Sequence, residues 1–204
     1  MLVRIFYFVL VAFAFTACGS ALTTQPDEHA QHKTTGRGYV DSVNNGTIKD
    51  DTLKGSPARV TMATIGSNHV HLTYHSPGVK GRIIWGGLVP YNNVWVTGAH
   101  TATKVSFGKP VTIAGNKVDA GTYAIFTIPG ENEWRFLLNK NHQQHLTDEY
   151  TASEDILNIP VSTDTVNITP RLTYMVQKDS DTTGSIHFSW ERKSFRIPFT
   201  NTAQ

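Results

Sequence analysis

Nine histidines against a single cysteine define the chemistry open to this 204-residue chain. Imidazole binds Zn, Cu or Fe well, and a site without thiolates needs several ring nitrogens, with a carboxylate to complete the shell. His75, His100 and His145 come from three separate segments, each beside a turn or loop rather than in the middle of a strand. Rigid β scaffolds present function on loops at one rim, which makes these three the candidate ligand set. Asp148 and Glu149 stand three and four residues after His145 and share its face in a helical turn; His142 competes on the same turn. The expectation is a transition-metal site, with hydrolytic or redox chemistry if a coordination position stays open. Without a metal, the same imidazoles serve as general acid and base on a polar ligand, with Asp148, Glu149, Glu154 and Asp155 as carboxylate candidates. The plain alternative is three unrelated surface histidines.

The remaining chemistry-bearing residues read more simply. His69 and His71 lie roughly 7 Å apart on one strand face and could chelate, but a solvated sheet face explains them as well. His187, between Ile186 and Phe188, reads as another outward strand residue, and His29 and His32 as solvated linker residues. Trp85, Trp95, Trp134 and Trp190 make a carbohydrate-stacking platform only if exposed, and large aromatics on strands are more often core. Arg82 can take a carboxylate or phosphate, or brace the 88–91 loop, which is the preferred reading. The sequence has no phosphate loop, no nucleophile elbow and no His-Glu-x-x-His. A Ser/His/Asp triad is not defined by sequence order, so whether the chain is an enzyme stays open.

The elements that position these groups are short alternating runs. Val60 to Ile65 is one; in the next, Val70, Leu72 and Tyr74 alternate with His69, His71, Thr73 and His75. Further strands are expected at 81–85, 102–107, 111–113, 122–128, 134–138, 156–161, 171–177, 185–190 and 195–199. They are separated by turn signals such as Ser76-Pro77-Gly78, Ala114-Gly115-Asn116 and Pro129-Gly130-Glu131-Asn132. Connections this short favour antiparallel pairing. An all-β antiparallel β-sandwich follows, with a jelly-roll-like or barrel-like arrangement as the alternative and at most a helical turn or two within 141–155.

The N-terminal region has a different character. Arg4 precedes the apolar run Ile5 to Phe15 and then Thr16-Ala17-Cys18, the pattern of an export signal too short for a typical membrane span. Phe15-Thr16-Ala17-Cys18 resembles a bacterial lipobox, whose cysteine becomes the lipidated first residue. The expected organisation is therefore a signal peptide over 1–18, a flexible polar tether over 19–54 and a single domain over 55–200, exported and lipid-anchored in a bacterial cell envelope. Cys18 is the only cysteine, so the fold has no internal disulfide. A net charge of +2 with no Lys/Arg cluster gives no basis for nucleic-acid binding. The expected partners are the membrane, through the anchor, and an unidentified small-molecule or glycan ligand.

The stretch from Ser76 to Tyr91 continues with Val94-Trp95-Val96-Thr97-Gly98-Ala99, Ala102-Thr103, Ala120-Gly121-Thr122-Tyr123 and Phe126-Thr127-Ile128-Pro129-Gly130. Trp134 and Asn139-Lys140 follow in order. Together these resemble the bacterial family called domain of unknown function 2911, over roughly Val60 to Phe199. The resemblance implies a β-rich exported domain and assigns no reaction. In the family's common pattern Ser-Arg-Pro follows the tyrosine at position 74, where this chain has His75-Ser76-Pro77. Val96 stands in place of an arginine, His100-Thr101 in place of Asn-Glu, and His145-Leu146 in place of Trp-Gly. The three candidate ligands are thus the positions where this chain departs from the pattern. Metal binding through them is the first functional reading; a non-catalytic interaction or carbohydrate-binding module is the second.

Overall fold

The computed structural model describes residues 37–202, and the export signal, Cys18, His29 and His32 lie outside them. Alternation of apolar and polar residues produces two antiparallel sheets, as expected. Strands β1 (Ala58–Ile65), β2 (Asn68–His75), β3 (Thr103–Phe107), β6 (Gly121–Ile128), β7 (Trp134–Asn139) and β8 (Asp155–Val161) form one sheet in the order β1-β2-β3-β6-β7-β8. Strands β4 (Val111–Ile113), β5 (Asn116–Val118), β9 (Asp164–Lys178) and β10 (Thr183–Asn201) form the other, in the order β5-β4-β10-β9. Val70, Leu72 and Tyr74 of β2 point into the core, so His69, His71, Thr73 and His75 take the outer face. The 141–155 segment contains only a short 3-10 turn at Ala152–Glu154.

β10 is not straight. Nineteen extended residues would span about 60 Å, yet the N–H of Asn201 donates to the carbonyl of Thr182 at 2.8 Å. Phe188 stacks on Phe195 with ring centroids 4.7 Å apart, and a Cβ on Gly184 would lie 2.6 Å from Phe199. The segment therefore curls back on itself around the core with Glu191 at the bend, and β9 curls with it, since the two strands stay paired past Glu191 to Ser194. Glu191 sits where the β9–β10 register shifts, and its φ of 54° is a left-handed conformation found in bulges, which glycine usually supplies. Its carboxylate accepts the N–H of Arg192 at 2.6 Å and the indole N–H of Trp85 at 3.2 Å. Ile186, Phe188 and Trp190 on one arm and Phe195, Ile197 and Phe199 on the other all face the core.

Two expectations need correction. The first is the strand at 81–85, which is loop: the N–H of Arg82 closes a turn on Val79 and Gly81 has φ 68°. Ile83 is 78 % exposed while Ile84 is buried in the core, so the run packs as a loop rather than pairing as a strand. The second is the tether, because residues 37–54 are part of the folded body. Helix α1 (Arg37–Asn44) buries Val40 and Val43, and the chain after it wraps onto Arg171. Arg171 is fully buried and its Nε meets Asp51 Oδ2 at 2.9 Å. Its Nη1 donates to the carbonyls of Ser76 (2.9 Å) and Gly55 (3.2 Å), and Nη2 to that of Leu53 at 2.5 Å. Asn44 pairs with the Arg171 backbone in both directions, at 2.8 and 2.9 Å, and Asp41 pairs with Arg59 at 2.6 Å. Polar residues here serve as partners for a buried guanidinium, so their composition resembles that of a linker.

A candidate ligand cleft beside the histidines

The connection from β2 to β3, residues 76–102, is far longer than connections in compact domains usually are, and such loops tend to carry function. Lys80, Asn92, Thr97 and His100 within it all have positive φ without being glycine. Leu146 and Glu191, on the segments packed around it, share that conformation; among the described residues only Ala114 adopts it elsewhere without being glycine. Backbone strain of this kind concentrates at functional sites, where surrounding structure holds it in place.

These strained segments enclose a cleft of about 350 Å³. Val89, Val94, Trp95 and Val96 supply apolar wall from the long loop, Leu146 and Thr147 close the other side, and Trp190 of β10 lines it from the sandwich. Trp95 is half-buried and stacks on Trp190 at 5.6 Å; Trp85 meets Trp95, Trp134 and Trp190 edge-on at 5.9, 4.7 and 5.7 Å. Trp134 and Trp190 are 1 % exposed. The four tryptophans therefore form a core cluster with one working edge on the cleft, and an open sugar-stacking platform is absent. The indole N–H of Trp190 is buried with no hydrogen-bond partner. Arg82 also lines the cleft; its Nε donates to Val79 at 3.2 Å and Nη2 to Gly78, so it braces its own turn rather than the 88–91 loop.

The three candidate histidines do come to one region, but not to one point. The rings of His75 and His100 touch edge-to-face with centroids 5.0 Å apart. The N–H of Leu146 donates to the carbonyl of His100 at 2.7 Å, and that of Ala102 to Gln144 at 3.0 Å, so the His145 segment lies alongside the His100 segment. In that pairing Thr101 stands opposite His145. His100 itself has φ 63°, so the chain turns there rather than continuing as a strand. His145 is turned to Asp148 at 2.9 Å, with both side chains mostly exposed. Glu149 is exposed, and its carbonyl accepts the Asn141 side chain at 3.4 Å. No group of three or more His, Cys, Asp or Glu side chains among the described residues is placed to hold a metal ion, so the expected ligand set of His75, His100, His145, Asp148 and Glu149 does not assemble. Glu154 and Asp155 stand apart as well: Asp155 accepts Tyr150 (2.7 Å) and Asn139 (2.8 Å), a structural anchor for β7 and β8.

His69, His71 and His187 sit on outer faces, as expected. His187 accepts or donates to Ser185 at 2.9 Å, and burial followed by the charge of Arg196 holds it below the usual histidine range. His75 is lowered too, by burial first and then by His100 and Lys104. Both histidines thus bind protons less readily folded than unfolded, so stability rises with pH through this window. Chemical denaturation should show stability falling as pH drops below about 6.5, the ordinary histidine value, and His187→Gln should flatten that dependence.

The described residues thus form a two-sheet antiparallel sandwich with a strained, partly aromatic-walled cleft. The chain belongs to the family described as "protein of unknown function (DUF2911)", whose model matches residues 56–199. Comparisons with curated proteins and with solved structures give no match. The helical strap and its partners for Arg171 lie outside the matched span.

Proposed function

We propose that this chain is an exported, lipid-anchored envelope protein that binds a small amphipathic ligand in the cleft between the 76–102 loop and β10. The observation that carries this is a strained loop wrapped around a cleft of about 350 Å³, walled mainly by apolar side chains with Arg82 at its edge. Val89, Val94, Val96 and Leu146 favour an apolar body. Arg82 has guanidinium donors beyond the two it spends on Gly78 and Val79, which favours a carboxylate head. The cleft volume suits a small molecule at the lower end of ordinary ligand pockets. Export and the anchor rest on the apolar run 5–15 and Cys18.

Octanoate tests this reading through tryptophan fluorescence. Saturable quenching is expected, weaker by about tenfold with octanol and in Arg82→Ala, and about 1.4 kcal/mol corresponds to that factor. Leu146→Ala thins the opposite wall of the cleft and should weaken octanoate and octanol alike. Equal binding of acid and alcohol, unaffected by either substitution, would sink the proposal.

A further inference from the structure

On the other side of the 98–102 segment is a second, smaller hollow of about 200 Å³, lined by Thr73, His75, Thr101 and Lys104 together with Ala58 and Val60. It opens on the outer face of the large sheet, away from the core. β2 places Thr73 opposite Lys104 of β3, and Val60 of β1 opposite Thr73, so these side chains share that face by register. Thr101 Oγ1 lies 3.5 Å from His75 Nδ1, and His100 packs its ring against His75.

The charges are one-sided. Lys104 is half-buried, is close enough to His75 to act on it electrostatically, and has no carboxylate partner among the described residues. Facing groups from the packed elements are Ala58 and Val60 on β1, His71 and Thr73 on β2 and Ser106 on β3. The adjoining loop adds His145, whose carboxylate neighbour Asp148 is already paired with it. Arg59 contributes backbone only, because it pairs with the inward Tyr74 and turns its guanidinium to Asp41. A cation entering this hollow would meet an uncompensated ammonium, whereas an anion would meet an ammonium, two hydroxyls and an imidazole at hydrogen-bonding height. The same groups that disfavour a metal favour its opposite.

We propose that Thr73, His75, Thr101 and Lys104 form a binding site for a small oxyanion of the phosphate or sulfate type, separate from the aromatic cleft. The site uses Lys104 as counter-charge and the threonine hydroxyls and His75 as neutral donors.

Titrating inorganic phosphate into the detergent-solubilised full chain, at constant ionic strength with chloride, tests it by amide NMR. Saturable shifts are expected at Thr73, Thr101, Ala102 and Lys104. Lys104→Met should weaken the binding by roughly tenfold or more, while Lys104→Arg keeps it. Lys104 is solvent-reachable, and an unchanged thermal unfolding midpoint verifies that each variant folds. Arg82→Ala should leave phosphate binding intact, so loss of the cleft reading and loss of this one are told apart. Shifts that fail to saturate at tens of millimolar phosphate, or that survive Lys104→Met, overturn the proposal.

Discussion

Asp51→Ala should destabilise the domain by about 3–5 kcal/mol, the range for stripping one partner from a buried ion pair. Arg171 is wholly enclosed and Asp51 nearly so, with side-chain exposures of 0 % and 11 %. Removing the carboxylate leaves a guanidinium held only by the carbonyls of Leu53, Gly55 and Ser76. Those acceptors satisfy N–H groups but do not neutralise the charge. Deleting residues 37–55 should be worse, because it also removes Leu53, Gly55 and the paired Asn44, leaving Ser76 as the one remaining acceptor. A chain trimmed to the 56–199 span of the family model should therefore fail to give a cooperative urea transition. The double variant Asp51→Leu/Arg171→Met should recover most of the loss, since an apolar pair has no charge to strand. A double variant as unstable as Asp51→Ala would show that shape, not charge, is what the strap supplies.

Phe188→Ala should cost a comparable 3–5 kcal/mol, as large-to-small changes of core aromatics do. Phe188 is 1 % exposed and stacks on Phe195 at 4.7 Å, with Tyr174 at 5.4 Å and Trp95 and Trp134 both at 6.1 Å. It joins the two arms of β10 to each other and to the tryptophan cluster, so its loss opens a cavity behind the cleft wall. Phe188→Leu should cost much less while still loosening Trp95. The urea midpoint measures the first effect and octanoate quenching the second. If Phe188→Ala keeps wild-type stability, the folded-back geometry of β10 is wrong.

The legible part of this fold was the part written in period-two alternation. Val70, Leu72 and Tyr74 are buried with the histidines between them turned out, and the strands expected at 102–107, 111–113, 122–128 and 134–138 are strands within a residue or two. Where tertiary partners decide, the local pattern misled. Ile83 and Ile84 look like strand residues, yet Gly81 and Gly86 both take positive φ and the run folds as turns. Asp51 and Asn44 look like linker residues because their partner, Arg171, lies more than a hundred positions away. The histidines came within one region through three segments that sequence correctly placed beside turns. How the His145 segment lies against the His100 segment depended on the pairing of Thr101 with His145, which no local signal announces. The cleft was hidden for a related reason: its walls come from Trp95, Leu146 and Trp190, residues whose apolar character reads as ordinary core.

The helical strap also fixes how far the protein can stray. With the described residues starting at 37, at most residues 19–36 separate the folded body from the lipid-bearing Cys18 that we propose, half of the stretch that composition alone would allot. Fully drawn out, that length covers about 60 Å and no more. The mouth of the cleft would then patrol a thin layer over the bilayer, meeting molecules that leave or approach the lipid surface before those in the space beyond.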